Sequence, residues 1–170
     1  SLFRSLYPND DAKVALLNIG SEELKGNEII KETYQILNQR QNEDFEFKGY
    51  IEGYYGKLLS WKDRSTILKS ISHLGMNLYI YAPKEDPYHR IKWSTPYPDD
   101  ALHNFKSFTE EATKLGITPY FCLSPGISFN KGAASDLENL KEKFNQLHSV
   151  GFSEFGILFD DLEFKRDKYL

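Results

Sequence analysis

The stretch Phe155-Gly156-Ile157-Leu158-Phe159-Asp160-Asp161 joins a short apolar run to two adjacent carboxylates. A run of this length and composition is typical of a strand buried in a parallel sheet. Parallel α/β proteins build their sites at the carboxyl ends of strands. Asp160 and Asp161 are therefore the first catalytic candidates. The alternatives are a solvated acidic loop or a cap at the start of a helix.

The segments before this stretch alternate between strand and helix. Apolar runs predict strands at 13–19, 45–52, 77–81, 117–123 and 154–160. Amphipathic spacing predicts helices at 27–39, 62–73, 99–115 and 135–149, with Gly75, Gly116 and Gly151 ending the last three. This alternation predicts a parallel α/β sheet with right-handed crossovers.

From residue 46 onward the pattern contains about half of a (β/α)8 barrel, which needs roughly 250 residues. We therefore predict the first half of a TIM barrel, preceded by one extra strand–helix unit that pairs beside the strand at 45–52. A small doubly wound sheet is the structural alternative.

Composition limits the classes of function. The 170 residues are 40% hydrophobic and 15% aromatic, which is enough for a core. The net charge of −4 argues against a nucleic-acid partner. Cys122 is the only cysteine and lies in an apolar run, which favours a buried structural thiol. Neither a signal peptide nor a membrane span of about 20 apolar residues is visible, which favours the cytoplasm.

Four predicted strands end in loops that a barrel would place together. The loops are 52–56, 81–86, 123–126 and 160–161. They offer a glycine-bounded turn, one cation, an aromatic pair and two carboxylates, which suits a polar neutral ligand with several hydroxyls. Two nearby carboxylates resist joint ionisation, so one of them can donate a proton near neutral pH.

These loops resemble the catalytic domain of glycoside hydrolase family 84, the O-GlcNAcase and hyaluronidase-like β-N-acetylglucosaminidases. The matching pieces, in family order within residues 48–161, are Gly49-Tyr50-Ile51-Glu52-Gly53-Tyr54-Tyr55-Gly56, Tyr79-Ile80-Tyr81-Ala82-Pro83-Lys84-Glu85-Asp86-Pro87-Tyr88-His89-Arg90, Ser124-Pro125-Gly126 and Leu158-Phe159-Asp160-Asp161. The resemblance implies an N-acetylglucosamine-containing glycan or glycoprotein as partner. The histidines show no metal-ligand spacing, and we expect no cofactor and no metal.

The family's chemistry is a retaining, substrate-assisted hydrolysis, in which the 2-acetamido oxygen of the substrate attacks the anomeric carbon and forms an oxazoline. By resemblance, Asp160 orients and polarises the acetamido N–H, and Asp161 is general acid and then general base. Gly53 would offer its carbonyl to a sugar hydroxyl. Lys84 would hydrogen-bond a hydroxyl or the ring region of the sugar.

The chain departs from the family in three respects. Lys57-Leu58-Leu59-Ser60-Trp61 replaces the usual Arg-Pro-Trp, and Glu85 replaces an aspartate. The tyrosine, asparagines and aspartate that enclose the family's acetamido pocket come from the second half of its barrel. We therefore expect the 170-residue chain alone to be inactive, and to self-associate through open barrel edges.

Residues 12–53 resemble a different protein, the bacterial acyl-carrier-protein:phosphate acyltransferase of phospholipid synthesis. The resemblance rests on residues 14–28 and on Phe47-Lys48-Gly49-Tyr50-Ile51-Glu52-Gly53. The chain thus resembles a join at a shared strand, whether natural, artificial or a misassembled gene. We predict two segments, 1–45 acyltransferase-like and 46–170 a partial glycosidase barrel. An acyltransferase-related chain and a non-catalytic sugar-binding α/β module remain the alternative functions.

Overall fold

The computed structural model describes residues 12–17, 32, 45–126, 128–130 and 132–159, with the backbone alone for 12–17 and 45–47. The strands within these ranges are β1 (Ala12–Leu17), β2 (Phe45–Glu52), β3 (Leu78–Tyr81), β4 (Thr118–Leu123) and β5 (Glu154–Ile157). The helices are α1 (Trp61–His73), α2 (Asp99–Lys114) and α3 (Ala134–Ser149). The predicted helix at 27–39 falls outside the described residues apart from Glu32.

The strands form one parallel sheet in the order β1-β2-β3-β4-β5. Each new strand adds beside the previous one, and the order never reverses. A doubly wound sheet has a point at which the strand order reverses, whereas a barrel does not. The parallel α/β prediction is confirmed, and the winding is that of a barrel.

The extra N-terminal strand lies where the sequence predicts it. β1 pairs with β2 from Ala12 opposite Phe45 to Leu17 opposite Ile51, with an irregularity between Val14 and Ala15. β2 thus has a neighbour on each edge, because its other edge pairs with β3.

The core lies between one face of the sheet and the three helices. Tyr79 and Tyr81 of β3 and Phe121 of β4 turn towards this face and are buried there. Phe121 contacts the rings of Tyr81, Tyr97, Phe105 and Phe152 at centroid distances of 5.4–6.2 Å. Much of the aromatic content therefore serves the core.

Local sequence explains where the helices begin and end. Ser60 and Asp63 form a capping box at the start of α1, because each side chain accepts the backbone N–H of the other. Gly75, Gly116 and Gly151 follow the three helices with φ of 77°, 72° and 103°, as predicted. The predicted strand at 154–160 is too long, since β5 ends at Ile157.

Candidate active site

The loops after β2 and β3 lie side by side at the carboxyl edge of the sheet. The N–H of Ala82 donates to the carbonyl of Glu52 at 3.0 Å, and the N–H of Lys84 donates to the carbonyl of Tyr54 at 3.3 Å. These two bonds extend the β2–β3 pairing beyond the strands. Gly53 and Lys84, both half-buried, are therefore close neighbours.

A second link joins the same two loops. The N–H of Gly56 donates to Oε1 of Glu85 at 3.3 Å. Glu85 stands where the family often has aspartate, so this departure supplies a contact between the loops.

A buried ion pair holds the end of β2 beneath Gly53. Arg64 of α1 donates from Nε and Nη2 to the two carboxylate oxygens of Glu52, at 2.9 and 2.6 Å. The hydroxyl of Tyr79 donates to Glu52 at 2.7 Å, and Nη1 of Arg64 donates to the carbonyl of Leu59 at 2.7 Å. Burial would lower the pKa of Arg64, but its bonds to Glu52 raise it, so the guanidinium stays charged.

A second buried carboxylate, Asp86, organises the loop after β3. Its Oδ2 accepts the hydroxyls of Tyr81 and Tyr97, each at 2.7 Å, and its Oδ1 accepts the N–H of Tyr88 at 2.8 Å. Burial raises the pKa of both tyrosines well above 10, with the charge of Asp86 adding to the effect. Both hydroxyls therefore remain donors to the carboxylate.

His89 ties this loop to β4. Its Nδ1 donates to the carbonyl of Cys122 at 2.7 Å, and its own carbonyl accepts the N–H of Ser124 at 2.9 Å. Burial lowers the pKa of His89 to about 4. The ring is therefore neutral at pH 7, with its proton on Nδ1, and its buried Nε2 has no hydrogen-bond partner among the described residues.

Burial raises the pKa of the Cys122 thiol at the end of β4 to about 11, and the charge of Lys84 opposes part of this shift. Cys122 is thus a protonated thiol near neutral pH, as expected for a structural cysteine. A Cβ added at Gly156, the partner of Cys122 on β5, would lie 2.8 Å from Sγ of Cys122, so the thiol fills the space that a side chain there would need.

The described chain leads from β5 towards the same edge. The N–H of Leu158 donates to the carbonyl of Leu123 at 2.7 Å, and the exposed ring of Phe159 packs 6.2 Å from that of Phe129. Asp160 and Asp161 lie outside the described residues. The structure therefore brings Gly53 and Lys84 together, and the catalytic pair stays a prediction.

Sequence reasoning assigned no role to two buried basic residues, Arg64 and Lys143. Arg64 shares a helical face with Ile67, Leu68 and Ile71, and Lys143 lies between Leu140 and Leu147 on a similar face. The sequence signal for both is a basic residue within the apolar face of a predicted helix. Such a cation must find partners when it is buried.

No group of three or more His, Cys, Asp or Glu in the described ranges could hold a metal ion. Within those ranges, no helix combines the length and apolar character that a membrane crossing requires.

In comparison with known proteins, the chain matches two families over residue ranges that overlap. The family described as beta-N-acetylglucosaminidase matches residues 48–169, and the family described as fatty acid synthesis protein matches residues 2–57. The second match agrees with a phosphate acyltransferase of Pelagibacter ubique, which is 85% identical over 53 residues, or 31% of this chain.

The larger part is similar to O-GlcNAc hydrolases. The Protein O-GlcNAcase of Rattus norvegicus is 28% identical over 115 residues, or 68% of this chain. A mutant of the O-GlcNAc hydrolase of Thermobaculum terrenum superposes on 71% of this chain with a TM-score of 0.68 and 38% identity.

The chain spans only part of each of these proteins. It covers 16% of the Pelagibacter acyltransferase, 13% of the rat O-GlcNAcase and 26% of the Thermobaculum hydrolase. The first family nevertheless matches well over half of the chain, and the matched residues include the strand-end loops described above. Through residues 48–169 the chain belongs to the beta-N-acetylglucosaminidase family, glycoside hydrolase family 84.

Proposed function

We propose that residues 48–169 supply the first half of an active site that removes β-linked N-acetylglucosamine by substrate-assisted, retaining hydrolysis. The observation that supports this most is the pairing of the Gly53 and Lys84 loops at the edge towards which β5 leads. A carbonyl acceptor and an ammonium donor there suit the hydroxyls of a sugar. The proposed substrate class is a glycan or protein that carries N-acetylglucosamine.

The roles of the four residues follow the family chemistry. Gly53 and Lys84 hold the sugar through its hydroxyls, and Asp160 polarises the acetamido N–H so that the acetamido oxygen becomes a better nucleophile. That oxygen attacks the anomeric carbon while Asp161 protonates the leaving oxygen. The products are the free aglycone and a protonated oxazoline, whose N–H remains hydrogen-bonded to Asp160. Asp161 then takes a proton from water as the water attacks the anomeric carbon and opens the oxazoline, which restores the 2-acetamido group.

A hybrid barrel tests these roles. Residues 48–169 would replace the matching part of the Thermobaculum hydrolase, and hydrolysis of aryl N-acetylglucosaminides would be measured. We expect the hybrid to be active, and Asp161→Asn to lower kcat about 100-fold or more. An aryl leaving group of low pKa should restore much of that loss, because it needs no general acid.

Asp160→Asn provides the contrast, because loss of acetamido polarisation should lower kcat with good and poor leaving groups alike. Asp100→Asn, an exposed carboxylate on α2, is the matched control and should leave kcat unchanged. A folded hybrid with no activity, or one indifferent to both substitutions at 160 and 161, would contradict the proposal.

The 170-residue chain by itself should show no turnover, since it covers only a quarter of the Thermobaculum chain. Measurable N-acetylglucosaminidase turnover that disappears in Asp161→Asn would overturn this expectation. We propose no acyltransferase activity, because the matching segment covers only 16% of that enzyme.

A further inference from the structure

Lys143, a buried lysine of α3, contacts the later part of the loop that carries Lys84. Lys143 is 2% exposed. Its Nζ donates to the carbonyl of Thr95, and to that of Tyr88 at 3.4 Å. The ammonium thus anchors two points of the loop between β3 and α2.

A tyrosine connects this cation to the buried carboxylate of the same loop. Nζ of Lys143 lies 4.4 Å from the centroid of the Tyr97 ring and 5.5 Å from that of Tyr88. Attraction between a cation and an aromatic face is strongest away from water. The hydroxyl of Tyr97 donates to Asp86. The Tyr97 side chain therefore contacts the ammonium of Lys143 with its ring and the carboxylate of Asp86 with its hydroxyl.

Asp86 in turn sets the turn in which Lys84 lies. The N–H of Asp86 donates to the carbonyl of Pro83 at 3.2 Å, which closes the chain around Lys84. The bond from Lys84 to Tyr54 is long, at 3.3 Å. Asp86 therefore holds the turn that contains Lys84 from one side, and Tyr54 holds it from the other.

We propose that Lys143 and Asp86 are positioning residues for Lys84, acting as a buried acid–base pair that Tyr97 bridges. The value of this positioning to catalysis rests on the proposed sugar-binding role of Lys84. The positioning itself is a property of the loop and can be tested without a sugar.

The charge on Lys143 can be removed within a mild pH range. Burial lowers the pKa of Lys143 to about 8, although the carboxylate of Asp86 opposes the shift. Asp86 is the acidic group whose charge acts on it, Tyr88 and Tyr97 face it with their rings, and Gln146 of its own helix bonds the backbone of Tyr97. Loss of the proton leaves Asp86 without its buried counter-charge, which should loosen the turn at Lys84.

Carbon-detected NMR of the full chain tests the proposal without a substitution. The backbone carbonyl signals of Lys84 and Thr95 would be followed from about pH 6 to about pH 10, a range that spans the loss of the Lys143 proton. We expect both signals to shift with a common midpoint at about 8. A Lys84 signal that does not follow the titration of the Thr95 signal overturns the proposal.

Substitution provides the second test. Lys143→Met keeps all but one atom of the side-chain length and removes the charge, so the titration of the Lys84 carbonyl should disappear. Amide hydrogen exchange at Lys84 should accelerate about tenfold or more, while that of β3 and β4 stays unchanged. Lys141→Met is the matched control on the same helix, because Lys141 is exposed and pairs only with Glu138 among the described residues.

Unchanged exchange at Lys84 in a folded Lys143→Met variant would contradict the proposal. If the variant does not fold, the wild-type titration decides alone. Failure of the proposed function looks different, since an inactive hybrid barrel leaves the NMR titration at Lys84 intact. If the hybrid is active, Lys143→Met should raise KM more than it lowers kcat, because Lys84 binds the sugar.

Discussion

At the scale of single residues, the site depends on buried charges that are fully paired. The side chains of Glu52 and Arg64 are 0% and 3% exposed, respectively, and their charges neutralise each other. Removing one member of such a pair leaves the other charged in a medium that solvates it poorly. Gly53 follows Glu52 directly, so the same pair that stabilises the fold also fixes one side of the candidate site.

Glu52→Gln should therefore lower the free energy of unfolding by about 3 kcal/mol, because the guanidinium of Arg64 loses its counter-charge. Urea denaturation of the full chain measures this. Glu138→Gln is the control, since the Glu138–Lys141 pair is largely exposed and its loss should change stability by less than about 0.5 kcal/mol. Equal effects of the two substitutions would contradict the importance assigned to burial.

At the scale of elements, the turn between α3 and β5 strongly favours glycine at position 151. Gly151 has φ of 103°, and an added Cβ would lie 2.5 Å from Oγ1 and 3.0 Å from Cβ of Thr109. Thr109 cannot yield easily, because its hydroxyl donates to the carbonyl of Val150. The turn is therefore constrained both by its own dihedral and by α2.

Gly151→Ala should lower stability by about 2–3 kcal/mol through combined strain and overlap. Gly75→Ala shares the positive φ but meets no atom within 4 Å, so it should cost only about 1 kcal/mol. Gly132→Ala has neither problem and should be nearly neutral. Thermal or urea unfolding of the three variants gives the comparison, and any other order of stability would argue against this account.

At the scale of the whole molecule, most of β2 lies within the residues matched by both families. The two matches overlap at residues 48–57, which include most of β2 and the turn after it. A strand has two edges, and here β1 occupies one while β3 occupies the other. In a closed barrel the first edge would pair with the last strand, so β1 takes the position at which such a barrel closes.

Removing residues 1–44 should expose that edge and promote self-association, because unpaired strand edges template further pairing. Light scattering after size exclusion should give a higher, concentration-dependent mass than for the full chain. Removing only residues 1–11 keeps β1 and serves as the control. A shortened chain that stays monomeric and equally stable would show that β1 does not protect the edge.

Self-association of the full chain through β5 remains a prediction. Among the described strands β5 has one neighbour, β4. The division into segments 1–45 and 46–170 also remains a prediction, although one family match begins at residue 48 and the other ends at residue 57, both close to that boundary.

The amino-acid sequence by itself determined the alternation of strands and helices from β2 onward, the glycines that end the helices and the meeting of the loops after β2 and β3. These are local properties, since periodicity and turn chemistry depend on residues a few positions apart. The adjacency of Gly53 and Lys84 followed from the same pattern, because carboxyl ends of parallel strands share an edge.

Only the tertiary structure decided which charges are buried and what they contact. Lys143 bonds carbonyls 48 and 55 positions away, and Glu52 meets Tyr79 across 27 positions. Such partners follow from how α3 packs on the loop and how β2 pairs with β3, which no local pattern records. The register of the strands likewise needed the structure, including the irregularity between Val14 and Ala15 of β1, because register is set by hydrogen bonds between segments that lie far apart in the chain.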